Sequence, residues 1–127
     1  MAKYRKKLEV DIRCPLEYGL AVFGGKWKSR IICVLSANKK LRYSEIRKEM
    51  YNITDAVLAA TLKDLIADGI VDRKSYDEIP PRVEYSLTGK GNSVVPILQS
   101  ICRWSDIFYK EDVENEMKQC QKCDYHR

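Results

Sequence analysis

The 127-residue chain is long enough for one domain with its own core and too short for two. Its 45% hydrophobic and 32% charged residues suit a soluble globular protein, and no run approaches the ~18 apolar residues of a membrane span. The net charge of +5 is unevenly placed: residues 1–50 hold thirteen Lys/Arg against five Asp/Glu (+8), and residues 51–127 hold ten against thirteen (−3).

Residues 1–13 form a basic arm of little apolar content, flexible by default. Cys14-Pro15 opens a first helix over 16–23, with proline at the favoured early position, and Gly24-Gly25 breaks it. A second helix over 26–37 carries Trp27, Ile31, Val34 and Leu35 on one side. Asn38-Lys-Lys40 is the exit turn, and Leu41-Arg42 can add a short strand. A third helix over 43–50 sets Ile46 and Met50 one turn apart. After the short linker Tyr51-Asn52-Ile53, Thr54 can cap the next helix by accepting from its free amides. That fourth helix, over 55–68, aligns Leu58, Leu62, Leu65 and Ile66, and Gly69 stops it in the left-handed region.

Two period-two runs, 70–76 and 82–87, flank the turn Asp77-Glu-Ile-Pro-Pro81 and read as a β-hairpin whose prolines confine pairing at the tip. Two helices joined by a short turn, then a hairpin, make a winged helix-turn-helix, mainly α with a small β wing. A small α+β domain without a nucleic-acid role is the alternative. The charge asymmetry favours DNA, since one basic surface would face phosphate, although a well-solvated face would look the same in isolation.

Thr88-Gly-Lys-Gly91 starts the longest helix, which runs to about residue 109. Val94, Val95, Leu98, Ile101, Cys102, Trp104, Ile107 and Phe108 cover more than one stripe of it. A helix apolar on two faces is buried on two sides. One face can pack on its own domain, leaving the other for a second copy of the chain, so a homodimer through the terminal helices is expected. The alternative is a fully enclosed core helix. Residues 111–119 read as a mostly polar helix extension. The chain thus divides into a basic arm (1–13), a winged helix-turn-helix domain with its dimerisation helix (14–110), and a helix extension with a Cys-containing tail (111–127).

Cys14-Pro-Leu-Glu17, Gly24-Gly-Lys-Trp-Lys28, Asp68-Gly-Ile-Val71, Pro80-Pro-Arg-Val-Glu-Tyr-Ser-Leu-Thr88 and Gly91 occur in that order. This series resembles the HxlR-type family of bacterial winged-helix transcriptional regulators, relatives of the MarR group. The likeness runs from Cys14 to about Trp104, and the Pro-Pro-Arg-Val-Glu-Tyr run is its most specific part. The resemblance implies a homodimer presenting one recognition helix and one wing per protomer to pseudo-palindromic double-stranded DNA. Members often repress or activate neighbouring genes, and several respond to electrophiles, oxidants or aldehydes through the cysteine that Cys14 matches.

With Leu58, Leu62 and Leu65 facing the core, the fourth helix would present Ala56, Ala60 and Lys63, with Thr54 and Asp55 at its N-terminal tip. Helix N-termini favour phosphate through free amides and dipole, making Thr54 a backbone contact. Ala56 and Ala60 could meet thymine methyls or simply fill space. Here the chain departs from the family, where Gln, Lys or Arg commonly stand on this face, so shape readout through the wing gains weight. Phosphate positioning would fall to Lys26 and Lys28 on the second helix, Arg42, Tyr43 and Ser44 at the start of the third, and Arg73, Lys74 and Arg82 on the wing. Arg82 could enter a narrow minor groove or pair with Asp77 or Glu78.

The basic N-terminus lacks an apolar segment after it, so no signal peptide is read and a cytoplasmic protein with reduced thiols is expected. Cys14 lies beside the basic arm at a helix start, where a thiol's pKa falls; it is a redox-sensing candidate or else a small buried helix-start residue. Cys33 and Cys102 fall on apolar helix faces and read as core. Cys120-Gln-Lys-Cys123 with His126 offers three ligands where a metal site needs four, and no βαβ context supports a thioredoxin-like pair. A thiol redox or metal-binding protein acting through that tail is the alternative function. Gly24-Gly-Lys26 lacks the phosphate-loop spacing, and there is no catalytic triad or carboxylate pair, so neither catalysis nor a cofactor is expected. No pattern identifies a small-molecule effector.

Overall fold

A computed structural model describes residues 11–109. The basic arm up to residue 10, the polar extension, and the Cys120, Cys123 and His126 cluster lie outside the described residues. Helix α1 spans Pro15–Phe23 behind Cys14, and α2 spans Lys26–Asn38. The short strand β1 (Lys40–Leu41) leads into α3 (Tyr43–Met50), then α4 (Asp55–Ala67). Strands β2 (Val71–Tyr76) and β3 (Arg82–Leu87) follow, and α5 (Gly89–Ser105) ends the described fold.

The core forms where α2 meets the helix-turn-helix. Ile31, Ile32, Val34 and Leu35 of α2 are buried, and so are Ile46 and Met50 of α3 and Leu58, Leu62 and Leu65 of α4. These are the helical spacings expected of faces turned inward. Caps fix the ends. The Arg42 amide donates to Glu45 Oε1 (2.8 Å) at α3, and the Val57 amide donates to Thr54 Oγ1 (3.2 Å) at α4. Gly69, at φ 77°, closes α4 in the conformation that a side chain resists.

The sheet has strand order β1-β3-β2, antiparallel throughout, with Lys40 opposite Ser86 and Tyr76 opposite Arg82. β1 therefore lies against β3, one residue earlier than the 41–42 strand read from sequence, because Arg42 is used as the N-terminal cap of α3. The hairpin tip contains a cis Ile79-Pro80 peptide. Thr88 joins sheet to α5: its hydroxyl donates to the Gly69 carbonyl (2.5 Å) and accepts from the Gly91 amide (3.0 Å). Gly91 is required there, since an added Cβ would sit 2.2 Å from the Ile70 carbonyl oxygen.

Two expectations about α5 need correction. The helix ends at Ser105 instead of near 109, and the Phe108 and Tyr109 amides both turn back to the Ser105 carbonyl (2.9 Å each). Cys102 is exposed instead of core, because the buried residues of α5 are Gly91, Val94 and Leu98, all earlier in the helix. The rest of the helix and the turn after it run beyond the domain, leaving Ile97, Ile101 and Trp104 of α5 and Ile107 and Phe108 after it exposed. A fully enclosed core helix is thereby ruled out. Cys33 is half-buried and packs against the core.

Candidate nucleic-acid interface

The N-terminal end of α4 is built by three contacts. Thr54 caps it, Asp55 pairs with Arg47 Nε (2.7 Å), and the Tyr43 hydroxyl donates to the Asp55 carbonyl (3.1 Å). Burial, with Asp55 close by, raises the Tyr43 pKa, so its phenol remains a donor. Tyr43 and Asp55 thus lock the crossing of α3 on α4, and their groups are committed within the protein. Ala56, Ala60 and Lys63 are exposed opposite the buried leucines, as the helical period requires. Arg42 and Ser44 stand exposed at the start of α3.

On the wing, the three cations named from sequence do not form one group. Cross-strand partners share a face of a sheet, and neighbours along a strand take opposite faces. Arg73 is opposite buried Tyr85, on the face that turns toward the core near Val71. Lys74 (opposite Glu84) and Arg82 (opposite Tyr76) lie on the other face. Arg82 is drawn into the hairpin. Its guanidinium meets Glu78 Oε2 at 2.7 Å and Glu84 Oε2 at 2.8 Å, and stacks over the Tyr76 ring at 3.7 Å. Pairing with Asp77 or Glu78 is the alternative that the sequence offers for Arg82, and the partner is Glu78; Glu84 and Tyr76 are not among the partners read from sequence. The period-two pattern could have found both, since 82 and 84 share a face and 76 lies across from 82.

These contacts shift the carboxylates. The hydrogen bond from Arg82 is the main cause holding Glu78 below the usual carboxylate pKa. For Glu84, partial burial pushes upward, but the Arg82 guanidinium and the Tyr76 hydroxyl outweigh it and the net shift is down. Arg82 is raised further by the same partners, Glu78 first.

The remaining candidates sit elsewhere. Lys28 Nζ donates to the Ala21 carbonyl (2.9 Å), closing the end of α1. Lys26 and Arg30 flank the half-buried Trp27 ring, 4.5 and 5.2 Å from its centre. Arg73 reaches Ser75 Oγ (3.3 Å), and Lys74 lies over Tyr76 (5.1 Å). Cys14 is the exposed residue before α1, with its carbonyl accepting from the Glu17 and Tyr18 amides (3.0 and 3.2 Å). The buried alternative for Cys14 is thereby overturned. Among the described residues no group of His, Cys, Asp or Glu could hold a metal ion, and no helix is long and apolar enough to cross a membrane.

The sequence profile of the HxlR-like helix-turn-helix family matches residues 22–113, a span that includes α2 through α5. The chain belongs to that family. An HTH-type transcriptional regulator of Halalkalibacterium halodurans is 42% identical over 104 residues, 82% of this chain and 92% of that protein. The redox regulator HypR in its oxidised form matches with a TM-score of 0.70 and 39% identity, covering 77% of this chain and 100% of HypR. A MarR-family transcriptional regulator of Porphyromonas gingivalis matches with a TM-score of 0.68 and 36% identity, covering 78% and 96%. This HxlR-like chain is therefore a winged-helix member of a transcription-regulator family, whose relatives here are named as regulators and not as enzymes.

Proposed function

We propose that this HxlR-like protein is a sequence-selective double-stranded DNA-binding regulator of transcription that acts in the cytoplasm as a homodimer on a pseudo-palindromic site. The observation that carries this reading is the outward face of α4. Ala56, Ala60 and Lys63 are exposed behind a capped N-terminus, on a helix braced from below by buried leucines. Such a helix enters the major groove, its two alanines permitting close approach to thymine methyls and its N-terminal amides facing a phosphate. Arg42, Ser44, Lys63 and a wing cation then position the protein on phosphates, with Lys26 adding charge. Arg82 serves as a brace of the wing, whose shape does the reading.

Dimerisation is supported by apolar surface that one chain leaves to water: Leu16 and Leu20 on α1, and Ile97, Ile101, Trp104 and Phe108 near or on α5. Large apolar side chains left to water in this number mark an interaction site. Cys14 acts as the sensor. Its exposed thiol at a helix start can add to an aldehyde, forming an S–C bond as the thiol proton passes to the carbonyl oxygen. With diamide, two thiols lose two electrons and two protons to the N=N bond and become a disulfide. Either change at the start of α1 alters the spacing of two recognition helices.

The test is binding of the reduced protein to its own upstream DNA at two salt concentrations, then after diamide or methylglyoxal, with Cys14→Ser alongside. Salt-sensitive, selective binding that the reagents alter only when Cys14 is present is the expected result. Binding indifferent to them removes Cys14 as sensor, and absence of selective binding overturns the DNA reading.

A further inference from the structure

The contacts of Arg82 divide its guanidinium into an inner and an outer edge. On the inner side Nη1 donates to Glu84 Oε2 (2.8 Å), and the Tyr76 ring covers the guanidinium plane at 3.7 Å. On the outer side Nε and Nη2 donate together to Glu78 Oε1 and Oε2 (3.1 and 2.7 Å). The Glu84 side chain is 19% exposed and that of Glu78 48%. Glu84 and Tyr76 belong to the two strands, whereas Glu78 belongs to the turn between them. The inner partners therefore hold the guanidinium, and Glu78 closes a fork that is already in place.

Two parallel N–H donors of an arginine accept a phosphate in the same geometry as a carboxylate. A second cation stands beside this fork. β1 pairs with β3 as far as Leu41 opposite Tyr85, so the register carries Arg42 alongside Glu84. Arg42 is exposed, and its charge adds to that of Arg82 in holding the Glu78 carboxyl below its ordinary pKa. Glu78 is thus an anion set between an arginine of the wing and the arginine that opens α3, two elements of the proposed DNA surface. Bracing the wing does not require it, since Glu84 and Tyr76 already fix Arg82. An ion pair open to solvent contributes little, whereas a duplex brings a dense row of phosphates to the same place.

We infer that Glu78 fills a phosphodiester site at the junction of the wing and α3, and that a DNA phosphate displaces it on binding. This assignment rests on the DNA-binding reading above. Arg82 remains the brace of the wing, keeping Glu84 and Tyr76, and exchanges only its outer partner. No covalent bond or proton moves in that exchange. The carboxylate competes with every phosphate alike, because the DNA backbone carries no base identity. Glu78 therefore lowers affinity for all duplexes and leaves the preference among them unaltered.

The experiment uses the full-length reduced protein with a duplex of its own upstream DNA and a scrambled duplex of the same length, at several salt concentrations. Glu78→Gln keeps the shape of the side chain and removes its charge. Asp77→Asn makes the same change at the neighbouring exposed carboxylate of the turn. Glu78→Gln should bind both duplexes at least about threefold more tightly than wild type, with Asp77→Asn much closer to wild type. Adding Arg82→Gln to Glu78→Gln should abolish the gain and lower the salt slope by about one per wing. A Glu78→Gln protein that gains no more than Asp77→Asn overturns the assignment, since net charge alone would then account for it. A salt slope indifferent to the loss of Arg82 also overturns it, and if Arg82→Gln fails to fold by circular dichroism the comparison of Glu78→Gln with Asp77→Asn still decides. If the wild type shows no salt-dependent binding to either duplex, the DNA reading itself falls and takes this site with it.

Discussion

The Lys90 ammonium lies 2.8 Å from the Tyr18 hydroxyl and 2.9 Å from the Asp68 carbonyl oxygen, so one side chain on α5 links α1 to the C-terminal end of α4. A cation at the end of a helix answers the partial negative charge of its last carbonyls. Thr88 supports the same corner through the Gly69 carbonyl. The orientation of the proposed recognition helix is thus fixed at both ends, by Arg47 and Tyr43 at its start and by Lys90 at its end. Lys90→Met should lower stability by only about 0.5 kcal/mol, because Lys90 is exposed and screened. Amide hydrogen exchange at residues 69–71 should accelerate more than at the core of α2. Tyr18→Phe in the Lys90→Met background should add little, and strict additivity of the two would show that the contact is not formed.

The wing should loosen in acid. Glu78 and Glu84 both have depressed pKa values in the folded chain, relative to an ordinary 4.5, with Arg82 the shared cause. A carboxylate depressed on folding contributes its stabilisation above the unfolded value and loses it as pH falls through the lower folded value. Exchange protection of the hairpin amides should therefore be level from neutrality down to about pH 5 and decline below 4.5. Arg82→Met should remove that dependence by leaving both carboxylates near their ordinary pKa. A hairpin that keeps the same acid profile without Arg82 would show that other groups govern it.

Arg73 and Lys74 provide a test of which wing face meets DNA. They occupy opposite faces of the hairpin, so a rigid wing can turn only one of them to the phosphates. Alanine at the DNA-facing position should reduce the salt slope of duplex binding by about one per contact, and alanine at the other should leave it unaltered. Equal reductions from both would mean that the wing twists on binding or straddles the backbone.

Elements with a strong local signal were legible in the sequence to within a residue or two. Thr54, Gly69 and the leucines of α4 each carry their own physical reason, cap, left-handed turn or helical period, and the structure uses them so. Groups joined by distant contacts were not. Cys102 has apolar neighbours that look like core, yet whether its stretch of helix has anything to pack on depends on where α5 leaves the domain. Lys90 and Tyr18 are far apart in the chain, and nothing local announces their meeting. Arg82 falls between the two cases: its face of the strand was readable, but a choice between DNA and a carboxylate required knowing that two glutamates and a tyrosine ring already enclose it.

The exposed half of α5 provides the remaining prediction. Trp104 packs on Phe108 with ring centres 5.4 Å apart, and with Ile97 and Ile101 it forms an apolar face that the monomer does not cover. Burying a side chain of this size contributes on the order of 1.5–3 kcal/mol, and in a symmetric dimer each such residue is buried twice. Ile101→Glu would place a charge in that contact without disturbing Val94 or Leu98, which hold α5 to its own domain. The wild type should sediment as a dimer, and the variant should remain folded by circular dichroism and sediment as a monomer. Its affinity for a two-half-site duplex should fall at least tenfold, while binding to a single half-site changes little. A wild-type protein that sediments as a monomer at micromolar concentration would remove the paired-helix geometry, and with it the route by which Cys14 is proposed to act.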